Sequence, residues 1–152
     1  MDIKSLIPAS HVLLGLKGET PRDILRNLSK PLAMDNILSD AEAFLDDVER
    51  REGQFTTQVD NTVALPHARS NTVRRLACSV GIASDPGLAF NPTENNRCRL
   101  FFMLAVPAFA PTAHLPLLQH LANFAHDPER VEKLLDSTTP AKAARQIVRF
   151  RG

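Results

Sequence analysis

The stretch Leu100-Phe101-Phe102-Met103-Leu104-Ala105-Val106-Pro107-Ala108-Phe109-Ala110 constrains the fold most, because it carries no charged or hydrogen-bonding side chain. Water must be kept from such a run wherever it lies. Pro107 interrupts it, and it falls well short of the ~20 residues needed to span a bilayer. It therefore reads as a buried strand followed by its exit turn.

The segments around it supply pairing and covering elements. His11-Val12-Leu13-Leu14-Gly15-Leu16 is a short apolar run ended by glycine and is expected to be a first strand. Thr20 followed by Pro21 is a cap-plus-proline helix start; Ile24, Leu25 and Leu28 keep helical spacing behind it, and Pro31 is expected to close that helix. A second helix starts at Ser39, with Asp40 and Glu42 complementing its dipole, Phe44, Leu45 and Val48 as its apolar stripe, and Gly53 as its stop.

From Phe55 the pieces turn short and β-prone: Thr57–Val59 and Val63–Leu65 on either side of an Asp60-Asn61-Thr62 turn, then Ala77–Ala83 and Arg99–Val106. Asp85-Pro86-Gly87 and Asn91-Pro92 mark turns between them. The last third returns to helix. Leu115, Leu118, Leu121, Ala122 and Ala125 share one face, Asp127-Pro128 begins a short helix, and Thr139-Pro140 begins a last one reaching Val148. Two helices, several strands and more helices indicate a layered α/β or α+β domain, and 152 residues suit one domain over 1–152.

Charge and composition narrow the function classes. A formal net charge of +1 with scattered basic residues offers no field for nucleic acid or an anionic membrane. The opening Met1 to Pro8 carries an acid and a proline where a signal peptide needs a basic segment and an unbroken apolar run, so no secretion or membrane insertion is expected. Cys78 and Cys98 form no CxxC pair and are expected to be reduced and buried, in keeping with a cytoplasmic protein.

Three residues suggest chemistry. His67 directly follows Leu65-Pro66. Proline fixes its own φ and biases Leu65 toward an extended form, so the imidazole is presented rigidly where a strand leaves the sheet, which suits a nucleophile. His114 stands between a loop and the periodic residues from Leu115 onward. At a helix start the free N–H groups and the dipole favour a bound phosphate and disfavour an imidazolium. Arg51 offers a planar guanidinium that grips phosphate oxygens in pairs, although the same residue also suits a solvated helix end. A nucleophile, a charge clamp and a hydrogen-bond partner suffice for moving a phosphoryl group between imidazoles, and these residues require no metal or cofactor for it.

Arg51-Glu52, Thr56-Thr57 and Val63-Ala64-Leu65-Pro66-His67-Ala68-Arg69 resemble the R-E-x3-S/T-T and I-A-I-P-H-A/G-R segments of the enzyme IIA family of the sugar phosphotransferase system (PTS), fructose/mannitol and nitrogen-regulatory class. Leu100–Pro107 resembles that family's L-I-F-L-L-A-V-P, and His114-Leu115-x-x-Leu118 its H-L-x-x-L. The resemblance implies a mixed β-sheet flanked by helices on both faces. It further implies that His67 accepts a phosphoryl group from the carrier HPr or its nitrogen-branch relative, with His114 as the second active-site histidine and Arg51 as the active-site arginine. In transport members the group passes to a cysteine of an enzyme IIB domain; nitrogen-regulatory members act by binding target proteins according to phosphorylation state.

Asp60-Asn61-Thr62 departs from the family's small Gly-Asn-Gly turn: Asp60 repels the phosphate if it points inward and caps the turn if it points away. Ala108–Ala113 likewise differs from the usual Gly-rich or acidic loop, which bears on partner choice. His11, His120 and His126 are expected to be ordinary surface residues, and Arg69 a surface charge near the site. A metal-dependent hydrolase using His67, His114 and a cysteine is the rival enzyme class; the chain has no HExxH and no paired Cys/His spacing to support it.

Overall fold

In a computed structural model, which describes residues 2–59, 62–91 and 97–152, the apolar run supplies an eight-residue strand, Leu100–Pro107, buried along its whole length. In chain order the elements are α1 (Ile3–Leu6), a 3-10 turn (Ala9–His11), β1 (Val12–Leu14), α2 (Pro21–Met34), α3 (Ala41–Gln54), β2 (Gln58–Val59), β3 (Val63–Ala64), β4 (His67–Ser70), β5 (Ala77–Ile82), β6 (Leu100–Pro107), α4 (Leu115–Ala125), α5 (Pro128–Leu135) and α6 (Pro140–Arg149).

The sheet is mixed. β6 runs antiparallel to β5 on one side, while β3 and then β4 lie end to end along its other side, both parallel to it. β1 adds parallel to β5, and β2 antiparallel to β3. A strand buried on both faces has no polar side, which is why β6 is continuously apolar. Leu100, Phe102, Leu104 and Val106 enter one core with residues of α4, α5 and α6. Phe101, Met103 and Ala105 enter the other with residues of α2 and α3. Helices on both faces follow directly from that alternation.

The helix starts fall where their caps place them. The side chains of Thr20, Asp40, Asp127 and Thr139 each accept a hydrogen bond from the backbone N–H three residues on. Several expected boundaries move. Pro31 lies inside α2 rather than closing it: the missing N–H removes one helical bond, but the buried ring and the fully buried Leu32 behind it keep the chain helical. The helix ends at Met34, and just past its C-cap Asp35 the chain turns away at Asn36, whose φ of 57° is the left-handed form asparagine tolerates. α3 likewise runs through Gly53 to Gln54.

On α4 the buried face is Leu117, Leu121, Phe124 and Ala125, so Leu115 at the face's expected start is half exposed instead. His11 belongs to the 3-10 turn and not to β1. The Asp60-Asn61 part of the predicted turn, and Pro92 of Asn91-Pro92, lie outside the described residues. No helix among the described residues is long and apolar enough to cross a membrane, and Cys78 and Cys98 are buried and form no disulfide among the described residues.

Candidate functional site

β3 and β4 behave as one strand bent at Leu65-Pro66. The bend keeps contact with β6 through the Pro66 carbonyl, which accepts from the Leu104 N–H at 3.0 Å. The Leu65 carbonyl is thereby left outside the ladder, and the Nδ1–H of His67 donates to it at 2.8 Å. A carbonyl can only accept, so this bond fixes the proton on Nδ1 and leaves Nε2 with a free lone pair. His67 thus opens a strand rather than marking the point where one leaves the sheet. β4 is short and partly polar, and nothing in its composition separates it from a loop.

His114 is the N-cap of α4 and is buried. Its ring centroid lies 5.9 Å from that of His67, with the rings tilted by 40°. Its Nδ1 is buried without a hydrogen-bond partner. A buried N–H lacking an acceptor is the costlier alternative, so Nδ1 is the bare nitrogen and Nε2–H is the donor the ring has to offer. Burial pushes both imidazoles below the ordinary histidine value; the neighbouring Arg51 and Arg69 add to this at His67, and His67 and Arg69 add to it at His114. Both rings are therefore neutral at physiological pH.

Arg51 sits in the last turn of α3, where its Nη1 donates to the Phe55 carbonyl at 3.2 Å. Arg51, His67 and His114, assigned to one site from sequence, line one cavity of about 350 Å³ together with Arg50, Arg69 and Asp47. Arg50 neutralises Asp47 at 2.9 Å. Arg69 follows His67 by two along β4 and so projects from the same side of the strand. A cleft of about 450 Å³ between α1 and α6 is larger but holds no histidine. The smaller cavity combines two neutral imidazoles with an excess of guanidinium, an arrangement that receives an anion beside a nucleophilic nitrogen.

A second group of residues, not singled out from the sequence, stands behind His67. Glu52 accepts from the Thr57 N–H with Oε2 and from the Thr57 hydroxyl with Oε1, each at 2.7 Å. Thr57 Oγ1 in turn accepts from the Leu65 N–H at 3.2 Å. Both residues lie within the Arg51–Thr57 motif, which was the available signal.

The remaining histidines correct the expectation of plain surface residues. His11 is only 1% exposed and bonded through both nitrogens. His120 is half-buried, bonded to the Ile147 carbonyl at 2.7 Å and packed edge-on against Phe150. Only His126, at the end of α4, is exposed. Distant partners impose this burial: α6 covers His120, while β5 and the end of α2 hold His11.

Fold and cavity together define a layered α/β domain built around a paired-histidine cleft. The chain belongs to the family described as "Phosphoenolpyruvate-dependent sugar phosphotransferase system, EIIA 2", whose model matches residues 5–149. It is 28% identical over 137 residues to the PTS system fructose-specific EIIA component of Haloferax volcanii, covering 90% of this chain and 88% of that one. To the nitrogen regulatory protein of Pseudomonas aeruginosa it is 25% identical over 146 residues, covering 96% and 94%. A fructose-specific EIIABC component of Bacillus subtilis matches 90% of this chain at 24% identity, yet this chain spans only 21% of that protein.

Among solved structures, nitrogen regulatory protein IIA-Ntr of Neisseria meningitidis superposes with a TM-score of 0.79 at 20% identity, over 95% of this chain and 98% of that one. The Escherichia coli mannitol enzyme IIA, solved in complex with phosphorylated enzyme IIB, gives 0.76 at 19% identity, over 92% and 95%. These likenesses bear out the mixed sheet with flanking helices.

Proposed function

We propose that residues 1–152 work as one cytoplasmic enzyme IIA unit that accepts a phosphoryl group on Nε2 of His67 from a phosphohistidine carrier of the HPr type and passes it to a cysteine of an enzyme IIB domain. The observation that carries this reading is the bond from Nδ1–H of His67 to the Leu65 carbonyl, which makes Nε2 the nucleophile in a cavity rich in guanidinium.

As the P–N bond to Nε2 forms, the donor's P–N bond breaks and its electron pair returns to the donor imidazole. His67 keeps its Nδ1 proton, so its ring becomes positive, held by the Leu65 carbonyl on one side and the phosphoryl oxygens on the other. Arg51 and the Nε2–H of His114 stabilise the oxygens, where negative charge is spread during transfer. In the onward step a cysteine thiolate forms the S–P bond, the N–P bond breaks and the ring returns to neutral. The enzyme IIB complex of the mannitol relative supports the choice of acceptor class.

A second reading is favoured by the near full-length match to a nitrogen regulatory protein: a free-standing protein that docks to regulatory targets according to the phosphorylation of His67. One experiment tests the carrier reading. The chain is incubated with phosphoenolpyruvate, enzyme I and HPr, and its intact mass is followed. A single added phosphoryl group that then moves to an enzyme IIB domain is expected. A chain that is phosphorylated but never discharged to any enzyme IIB would favour the regulator, and one phosphorylated neither by HPr nor by its nitrogen-branch relative would sink both readings.

A further inference from the structure

Nothing in a histidine's own covalent structure decides which ring nitrogen carries the proton, so the choice at His67 is made by the carbonyl it meets. That carbonyl has to be aimed. Leu65 is attached to Pro66, which has no N–H to tie the bend, and its carbonyl takes no part in the ladder with β6. The Leu65 side chain is packed in the core, and the hydrogen bonds that set its peptide are those of its N–H, to Thr57 Oγ1 at 3.2 Å and to the Thr57 carbonyl at 3.3 Å.

The direction of the hydroxyl matters here. A carboxylate only accepts, so the Thr57 O–H must donate to Glu52, which turns a hydroxyl lone pair toward the Leu65 N–H. Glu52 also takes the Thr57 backbone N–H, so both oxygens grip one residue and bring β2's entry onto the end of α3. The path from Glu52 through Thr57 and Leu65 to Nδ1 of His67 is then continuous, with every donor and acceptor assigned. The negative charge of Glu52 also favours a positive ring at His67, the state that follows transfer, whereas Arg51 and Arg69 oppose it.

We infer that Glu52 and Thr57 are positioning residues: by aiming the Leu65 carbonyl they hold the proton of His67 on Nδ1 and keep Nε2 as its reactive atom. This rests on the carrier reading only for its consequence in transfer; the tautomer itself is a property of the resting protein.

The test uses the full chain and the variants Glu52→Gln, Thr57→Val and Thr57→Ser. Glu52→Gln places an amide N–H₂ where a carboxylate oxygen accepts, and Thr57→Val keeps the shape but removes the hydroxyl. Imidazole ¹⁵N spectra of His67, recorded above its titration and without any donor, should show one tautomer in the unmodified chain and in Thr57→Ser, and a mixture in the other two. Single-turnover labelling by phosphorylated HPr should slow about 10-fold or more in Glu52→Gln and Thr57→Val, and stay near normal in Thr57→Ser. A merely structural role would alter stability without moving the tautomer. An unchanged His67 tautomer in either altered variant, shown to be folded by its backbone amide spectrum, overturns the inference. Should the tautomer shift as expected while no form of the chain is ever labelled, the positioning role stands and the carrier reading falls.

Discussion

His11 and His67 are both packed histidines hydrogen-bonded to backbone carbonyls, and they are held in opposite ways. His11 is enclosed, with Nδ1 on the Cys78 carbonyl at 3.0 Å and Nε2 on Asp35 at 2.9 Å. Arg75 reaches the same carboxylate at 3.1 Å, and these contacts hold the Asp35 carboxyl below the usual carboxylate range, His11 contributing most. Both ring nitrogens of His11 face a fixed oxygen partner, so neither is open to a reactant. His67 has one nitrogen tied and the other open to a cationic cavity. The contrast teaches that burial alone does not distinguish a strut from a candidate nucleophile; a ring nitrogen left open to the cationic cavity beside it does.

The sharpest way to break this contrast is to remove each ring in turn. His67→Ala should abolish labelling by phosphorylated HPr, read by intact mass, while His11→Ala should leave labelling of the folded molecules intact. Labelling that survives at full strength in His67→Ala would end the distinction. Stability should respond in the reverse sense. His11→Ala leaves the Cys78 carbonyl without its partner and opens a cavity, at a cost of about 3 kcal/mol in urea denaturation, whereas His67→Ala should stay within about 1 kcal/mol.

A smaller effect sharpens the picture of the cavity. Arg51→Lys keeps the charge but loses the planar fork, and single-turnover transfer should slow about tenfold, equivalent to ~1.4 kcal/mol of barrier. A rate unchanged by that substitution would reduce Arg51 to its bond with Phe55. The smallest effect is in pH. His67 and His114 are held below their ordinary value of 6.5 in the folded chain. The unfolded chain therefore takes up protons first as pH falls through 6.5, and folded stability declines from there down to the folded-state values. Replacing His114 by Gln should flatten that decline, measured by denaturation midpoints between about pH 7 and pH 5.

Much of this was legible in the sequence because the relevant signals are local. The Arg51–Arg69 segment carries the proposed nucleophile, its proline and the arginine within one continuous motif, and His114 is announced by a helix start. The uninterrupted apolarity of Leu100–Pro107 foretold a buried strand. What escaped depends on distance or on single bonds. The partners of His11 lie 24 and 67 residues away, beyond the reach of periodicity. Pro31 defeats a local rule because burial of its neighbours outweighs one missing helical bond. The work of Glu52 was hidden in plain view, since a motif gives identities and only coordinates show which oxygen meets which proton.

The bend at Leu65-Pro66 also equips the molecule with a built-in gauge. Because the Leu104 amide proton is bonded to the Pro66 carbonyl, its exchange with deuterated solvent reports on the peptide unit next to His67. An event that opens the crook of that strand would shorten the lifetime of this single proton, and one that leaves the crook closed would not.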